Sequence, residues 1–455
     1  MENILPSTPP DTSHCRLVSM YSLLEGHPSR IKFESKDKRV VLLITFFWLM
    51  SRIWHFFEFK LHLATDSLTY LELADEFVFS SENNTELSRS ILYVALLHLL
   101  GEKTIGMVFI QSLISLFSAI IIYFLGKHLS FTRKSATTIS LVFLFFPLTA
   151  YFEAHILTES IASFLILLLI YIWFTFENRK TKYSFAIVLL LSCFISLQRP
   201  NFIVFLLTLV LTVLMFEKKS EYRKIFAVAA LTGIFTSLVF TYLLTGNLKT
   251  GQQTLKVGIA MHLVDTFPTQ IANSEIAREI SKYENVLKRS VPSNRFWAVQ
   301  YGLAQYNKEN PELDADVTSD QFWTLTKKLM KEYPFTYFKS VFTSFITLSV
   351  DDVTAFRPGS DFYDFPKFIS MISGIIVSSF VFYVAILHNL LLGFLNRQYR
   401  VLLFSDRVLT IAVPVFCTLV INAIVSPIEQ SRYMFPLLSL LLLISARVLQ
   451  INKEK

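Results

Sequence analysis

Charged residues are scarce in this chain, and four of them stand where a charge is costly. Glu159, Arg199 and Arg432 each border a long apolar run, and Asp66 opens an interfacial stretch in the first outer loop. A charge in such a place needs a partner or a task. A carboxylate can take the proton of an attacking hydroxyl. A guanidinium forks onto two phosphate oxygens at once. Two acids with two arginines therefore suit transfer of a group away from a phosphate. Asp66 and Glu159 are the candidate catalytic carboxylates, and Arg199 and Arg432 the candidate phosphate clamp. Each also has a plainer reading. Thr65 or Asp66 can cap a helix, Glu159 can offset a helix dipole, and the arginines can reach out to lipid headgroups.

Supporting residues surround these four. In HLATDSLTYLELADEF, Asp66, Tyr70 and Ala74 are four apart, so one face of a helix carries all three. Leu68, Leu71 and Leu73 fall elsewhere around it, which predicts an amphipathic helix lying in the membrane interface. A second helical stretch, SRSILYVALLHLLG (88–101), opens with Ser88 as a candidate cap and Arg89. The segment YFEAHILTES (151–160) adds Glu153 and His155 ahead of Thr158 and Glu159. SPIEQSRYMFP (426–436) places Tyr433 beside Arg432. Metal chemistry finds little footing. His55, His62, His98, His155 and His262 fall on or near one side of the expected topology, yet no two stand at HxxxH spacing. The chain has no P-loop, GxGxxG, GxSxG or CxxC. No cofactor is expected, and ligand spacing gives a divalent metal no support. Cys15, Cys193 and Cys417 are scattered, the last two in apolar runs as small core residues. Asn83-Asn84-Thr85 fits a glycosylation sequon, which matters only in a eukaryotic host.

The elements that must hold these residues are membrane helices. Of 455 residues, 53% are hydrophobic and 17% charged, where a soluble domain carries roughly 25% charge. Several apolar blocks exceed the roughly 18 residues that mark a span. A soluble enzyme, a disordered protein and a disulfide-framed secreted domain are excluded. The expected fold class is an all-α polytopic membrane protein, with interfacial helices on the outer face. About ten transmembrane helices fall near 40–59, 104–126, 137–152, 158–176, 184–198, 201–216, 225–245, 367–392, 408–425 and 434–450.

Basic clusters set the orientation. Arg30, Lys32, Lys36, Lys38 and Arg39 precede the first span. Lys127, Arg133 and Lys134, then Arg179, Lys180 and Lys182, then Lys218, Lys219, Arg223 and Lys224, then Arg397, Arg400 and Arg407 fill alternate loops. The positive-inside rule puts the N-terminus in the cytoplasm and the four singled-out charges on the other face. These loops, rather than nucleic acid, account for the net charge of +7.

Met1 is followed by no apolar h-region, so no cleaved signal peptide is expected. Residues 1–39 read as a disordered cytoplasmic tail. Residues 40–245 read as an N-terminal transmembrane module with a catalytic first outer loop (60–103). Residues 246–366 form a large outer loop, and 367–455 the C-terminal transmembrane helices. Within that large loop, 334–350 is apolar but carries Lys339. Counting it as a span would place the 397–407 basic loop outside, so an interfacial helix is expected there.

Together these motifs resemble the GT-C integral membrane glycosyltransferases. The likeness is to the polyprenyl-phosphate-sugar-dependent branch, which includes protein O-mannosyltransferases and aminoarabinose transferases. Asp66 with Tyr70 and Ala74 resembles the family's first-loop acid and the Tyr-containing interfacial helix after it. Arg89 through Gly101 is similar to a segment usually written Arg-Pro-Pro-Leu-Tyr-Pro followed by an apolar stretch. Leu157-Thr158-Glu159-Ser160 resembles the acid opening the family's fourth span. Arg432-Tyr433 with Pro436 resembles the Arg-Tyr element heading its last span. The match runs in order from about residue 40 to 450. It departs at Ser90, Ile91 and Val94, which stand where the family has prolines. It departs again at Ser67, which follows a lone Asp66 where the family has an Asp-Glu pair.

The resemblance implies inverting transfer of a sugar from a polyprenyl phosphate to an acceptor hydroxyl on a protein, lipid or glycan. The site would face away from the cytoplasm, in a bacterial inner membrane or the endoplasmic reticulum. Asp66 would act as a single base, with Tyr70, Arg89, His155 and Tyr433 in support. The partners are then the lipid-linked donor, the acceptor and the bilayer, with no nucleic acid. Two other classes compete. A secondary transporter would carry internal repeats and helices broken at the midplane, and the sequence shows neither. A non-catalytic scaffold subunit would tolerate loss of Asp66 and Glu159.

Overall fold

The apolar blocks fold as a stack of helices, and no strand occurs among the described residues. The computed structural model describes residues 34–58, 65–77, 90–101, 104–176, 182–216, 220–245, 315–346, 407–425 and 435–453, with short stretches at 256, 259–260, 262–263, 305–306 and 308–310. In chain order the helices are α1 (Ser35–Glu58), α2 (Thr65–Asp75), α3 (Ile91–Leu99), α4 (Thr104–His128), α5 (Arg133–Phe145), α6 (Pro147–Ala154), α7 (Glu159–Phe176), α8 (Lys182–Gln198), α9 (Ile203–Phe216), α10 (Ser220–Thr245), α11 (Ala315–Glu332), α12 (Pro334–Ile346), α13 (Arg407–Val425) and α14 (Leu438–Lys453). Short 3₁₀ turns, Pro200–Phe202 and Phe435–Leu437, lead into α9 and α14.

Eight of these helices each lie on one block read as a span, and α5 and α6 share the block 137–152. α4 and the Glu221–Thr245 stretch of α10 are long and apolar enough to cross a membrane. The eighth block, 367–392, lies outside the described residues.

Three sequence readings change. First, 137–152 is not one helix. Pro147 lacks an N–H and drives Phe146 into extended geometry (φ −66°, ψ 124°), so α5 stops there and α6 restarts with Pro147 in its first turn. Thr149 Oγ1 donates to the freed Phe143 carbonyl at 2.8 Å. Second, the tail read as 1–39 ends earlier, because α1 already begins at Ser35 and Asp37 within it is fully buried. Third, α3 starts at Ile91 with Ser90 at its N-cap rather than Ser88, and the Ser90 side chain makes no capping bond. Gly101, at φ +61°, terminates that helix in the left-handed region open to glycine.

α4 is the central element. It packs against α1, α5, α6 and α7, and its Met107, Ala119, Ile122 and Tyr123 are fully buried. α8 packs on α10 at very close range. A Cβ at Gly233 would stand 2.4 Å from the Leu189 carbonyl oxygen and 2.9 Å from Ser192 Cβ. Glycine there permits backbone contact between the two helices. α9, α13 and α14 follow in a chain of contacts, and the turn before α14 seats Phe435 on α7. α12, within 334–350, packs on α13. Tyr337 donates to the Ile424 carbonyl at 3.4 Å, while Phe335, Phe338 and Phe342 are exposed. His262 is buried against α12, with its ring across Tyr337 (5.4 Å between centroids) and Nδ1 2.9 Å from Ser340 Oγ. Large apolar side chains also face outward along α1, α4, α9 and α10, among them Phe46, Phe109, Met215 and Phe235.

Candidate functional site

Glu159 opens α7 and is fully buried. The helix dipole favours an acid there, but complete burial demands a partner. That partner is Arg199, whose Nη2 lies 3.3 Å from Glu159 Oε1. Thr158 Oγ1 donates to Glu159 Oε2 at 3.3 Å. The Arg-Pro pair explains how Arg199 arrives. Pro200 forces its predecessor extended (φ −153°, ψ 106°), so α8 stops at Gln198 and Arg199 turns out of the helix. Gln198 Nε2 then donates to the Thr158 carbonyl at 3.1 Å, tying the end of α8 to the start of α7.

A second set of contacts brings α2 and α3 to the same end of the stack. Asp66 is the second residue of α2, about one helical turn before Tyr70. Tyr70 is buried, with its ring edge-on to Tyr93 of α3 at 5.2 Å. The Tyr93 hydroxyl donates to Gln111 Oε1 at 2.9 Å. Gln111 Nε2 in turn donates to the carbonyls of Glu153 (2.9 Å), His155 (2.7 Å) and, more weakly, Phe152 (3.4 Å). One amide of α4 therefore clamps the backbone that leads into Glu159. Burial, and after it the nearby Glu159 carboxylate, push the Tyr93 phenol well above its ordinary range. Tyr93 is thus a neutral donor beside the acid. His98 closes the pair of helices, with Nδ1 2.8 Å from the Ala74 carbonyl.

Below this layer sits a second ion pair. Arg52 of α1 donates through Nε to Glu153 Oε2 at 2.6 Å, and its Nη2 also bonds Glu153 Oε1. Glu153 ends up almost fully buried and bound to α1. His155 is buried at the C-cap of α6, and its carbonyl receives both Gln111 and the Leu157 N–H. Phe152 stacks on Phe435 at 4.6 Å. Among the described residues no three His, Cys, Asp or Glu side chains come together as a metal site.

Of the residues expected to do chemistry, Glu159 and Arg199 therefore meet, and Tyr70 and His155 belong to the elements around them. Arg89, Arg432 and Tyr433 lie outside the described residues, as does the side chain of Asp66. Neither family models, characterised proteins nor solved structures match this chain. The site stands on its own geometry: a buried acid paired with an arginine, a neutral phenol near it, and α2 joined to that phenol through Tyr70. Such a set can hold an anion at the guanidinium and steer a proton to a carboxylate.

Four contributing residues escaped the sequence reading. Arg52 is a lone cation inside an apolar run, a signal that calls for a buried acid. Gln111, Tyr93 and Gln198 are uncharged, and nothing in their spacing sets them apart from ordinary helix residues.

Proposed function

We propose that this chain is a multi-pass membrane glycosyltransferase that moves a sugar from a polyprenyl phosphate to an acceptor hydroxyl on the non-cytoplasmic face. One observation carries the reading: the start of α7 with Glu159, the α8 end with Arg199, and the α2–α3 pair bearing Asp66 converge at one end of the helix stack. The membrane assignment draws support from α4, α10 and the outward Phe46, Phe109 and Phe235. The orientation draws support from Lys127 in the last turn of α4, Arg133 and Lys134 in the first turn of α5, and Arg223 and Lys224 near the start of α10, at helix ends away from Glu159.

In the reaction, the acceptor oxygen attacks the anomeric carbon as the bond from that carbon to the phosphate oxygen breaks. The phosphate leaves with the electron pair, and the acceptor proton passes to Asp66. General-base help of this kind is worth roughly 10²–10⁴-fold. Arg199 stabilises the departing phosphate, with Arg432 as its partner in the clamp. Glu159 is the positioning residue that keeps Arg199 in place.

The test is transfer of radiolabelled sugar from a panel of polyprenyl-phosphate sugars in membranes holding equal amounts of each protein. Asp66→Asn should lower transfer by about 10²-fold or more. Near-normal transfer by that variant would remove Asp66 as the base. Movement of a substrate across sealed vesicles with no product would favour a transporter instead.

A further inference from the structure

Several buried polar atoms have no hydrogen-bond partner among the described residues, and two of them stand at the end of α8 and the start of α3. One is Gln198 Oε1 and the other is Ser90 Oγ. Gln198 is fully buried and Ser90 is 2% exposed. The orientation of the Gln198 amide is fixed by chemistry. Its other end faces the Thr158 carbonyl at 3.1 Å, and only the NH₂ can donate there. The oxygen is therefore the end left over. A buried amide oxygen without a donor is costly, by about 1–3 kcal/mol, and native proteins rarely keep one without a use.

The two atoms belong to neighbouring elements. Ser90 precedes Ile91 and Gln198 follows Leu197, and Ile91 and Leu197 pack in one apolar cluster with Cys193 and Leu244. Gln198 also adjoins Arg199, the candidate phosphate-binding residue, and reaches Thr158, next to Glu159. An acceptor-only oxygen calls for an N–H or O–H donor, and a serine hydroxyl can donate or accept. A polyhydroxylated ring held next to an anionic group would supply such a donor.

We propose that Gln198 Oε1, with Ser90 Oγ, recognises a ring hydroxyl of the transferred sugar and so helps set which sugar is accepted. This rests on the glycosyl-transfer reading above and adds a specificity residue to it. A site built to hydrogen-bond a hydroxyl discriminates against the analogue that lacks it, because its polar groups are then buried unpaired.

The experiment compares wild type with Gln198→Met, which keeps the length of the side chain and removes both the acceptor and the bond to the Thr158 carbonyl. The probes are the accepted polyprenyl-phosphate sugar and versions lacking one ring hydroxyl at a time. Wild type should use one deoxy donor about tenfold less well than the full donor, the worth of one neutral hydrogen bond. Gln198→Met should lose about that factor with the full donor and treat the two donors alike. A merely structural Gln198, or one that binds a buried water only, would lower all donors in proportion and leave their ratios as in wild type. That result overturns the inference. If Gln198→Met fails to accumulate, Ser90→Ala is read in the same way: a collapsed ratio for one deoxy donor supports the subsite, and unchanged ratios reject it. Wild type that transfers no sugar from the panel would instead sink the glycosyl-transfer reading, and this inference with it.

Discussion

The two ends of the helix stack each bury a carboxylate, Asp37 at one and Glu159 at the other, and surround it differently. At one end Asp37 of α1 accepts from the Glu34 N–H (2.9 Å), Tyr123 Oη (2.6 Å) and Lys127 Nζ (2.7 Å), with Arg133 Nε at 3.6 Å. Burial alone would raise its carboxyl, but the Lys127 and Tyr123 contacts hold it down at about 2. Roughly 24 Å away along α4, the distance from Lys127 to Gln111 at 1.5 Å per residue, Glu159 sits among residues that keep bonding capacity in hand. Gln198 Oε1 and Ser90 Oγ are buried there without partners among the described residues. A saturated carboxylate fastens helices together. A buried group with a vacancy costs stability, and functional sites are where such a cost is expected to be borne.

That contrast can be broken by substitution. Asp37→Ala strands Lys127 and should cost about 3 kcal/mol, near the low end for a broken buried pair because Lys127 is partly exposed. Thermal unfolding in detergent would show it, while transfer per folded molecule should hold steady. Glu159→Gln should do the reverse, with a smaller thermal loss and a much larger loss of transfer. Equal stability losses with intact transfer would erase the distinction between the ends. A smaller effect, about 1–3 kcal/mol, is expected for Gly233→Leu, since a side chain there collides with the Leu189 carbonyl of α8. It should loosen the helices without altering donor preference, as read by unfolding and by the deoxy-donor ratios.

Acid should separate two further regions. The folded Asp37 value of about 2 lies below the ordinary value of about 3.9. Its stabilising effect is therefore whole above about pH 4 and fades as pH falls toward 2. His262 behaves otherwise. Burial pulls it down to about 4, against the Ala423 and Ile424 carbonyls, which raise it. A released His262 would protonate near 6.5, so release becomes easier as pH falls from about 6.5 to about 4 and gains nothing below that. Proteolysis within 246–366 should rise over that interval, and His262→Phe should flatten the dependence. The stability difference between wild type and Asp37→Ala should stay constant over the same interval.

Long apolar runs and a few out-of-place charges carried most of what was legible in the sequence. α1, α4, α7, α8, α9, α10, α13 and α14 all lie on such runs, because burial of apolar surface and a satisfied backbone leave a helix as the ready solution. Glu159 and Arg199 could be singled out for the same reason: a charge beside an apolar run is rarely idle. What escaped was three-dimensional. The break at Phe146 hid inside an unbroken apolar stretch, with Pro147 as its one clue. Asp37 looked like part of a polar tail, since its partners lie about 90 residues further on. Gln111 gathers three carbonyls from a segment about 40 residues away, and no local pattern announces an amide placed to do so.

The Asp37 clasp also bears on the order in which the protein is made. All its partners, Glu34, Tyr123, Lys127 and Arg133, lie within the first 133 of 455 residues. Chains emerge from the ribosome N-terminal end first and fold in that direction. The clasp can therefore close when less than a third of the chain has emerged from the ribosome. It would fix α1 against α4 and α5 before Glu159 and Arg199 emerge, so that later helices assemble on a frame already set.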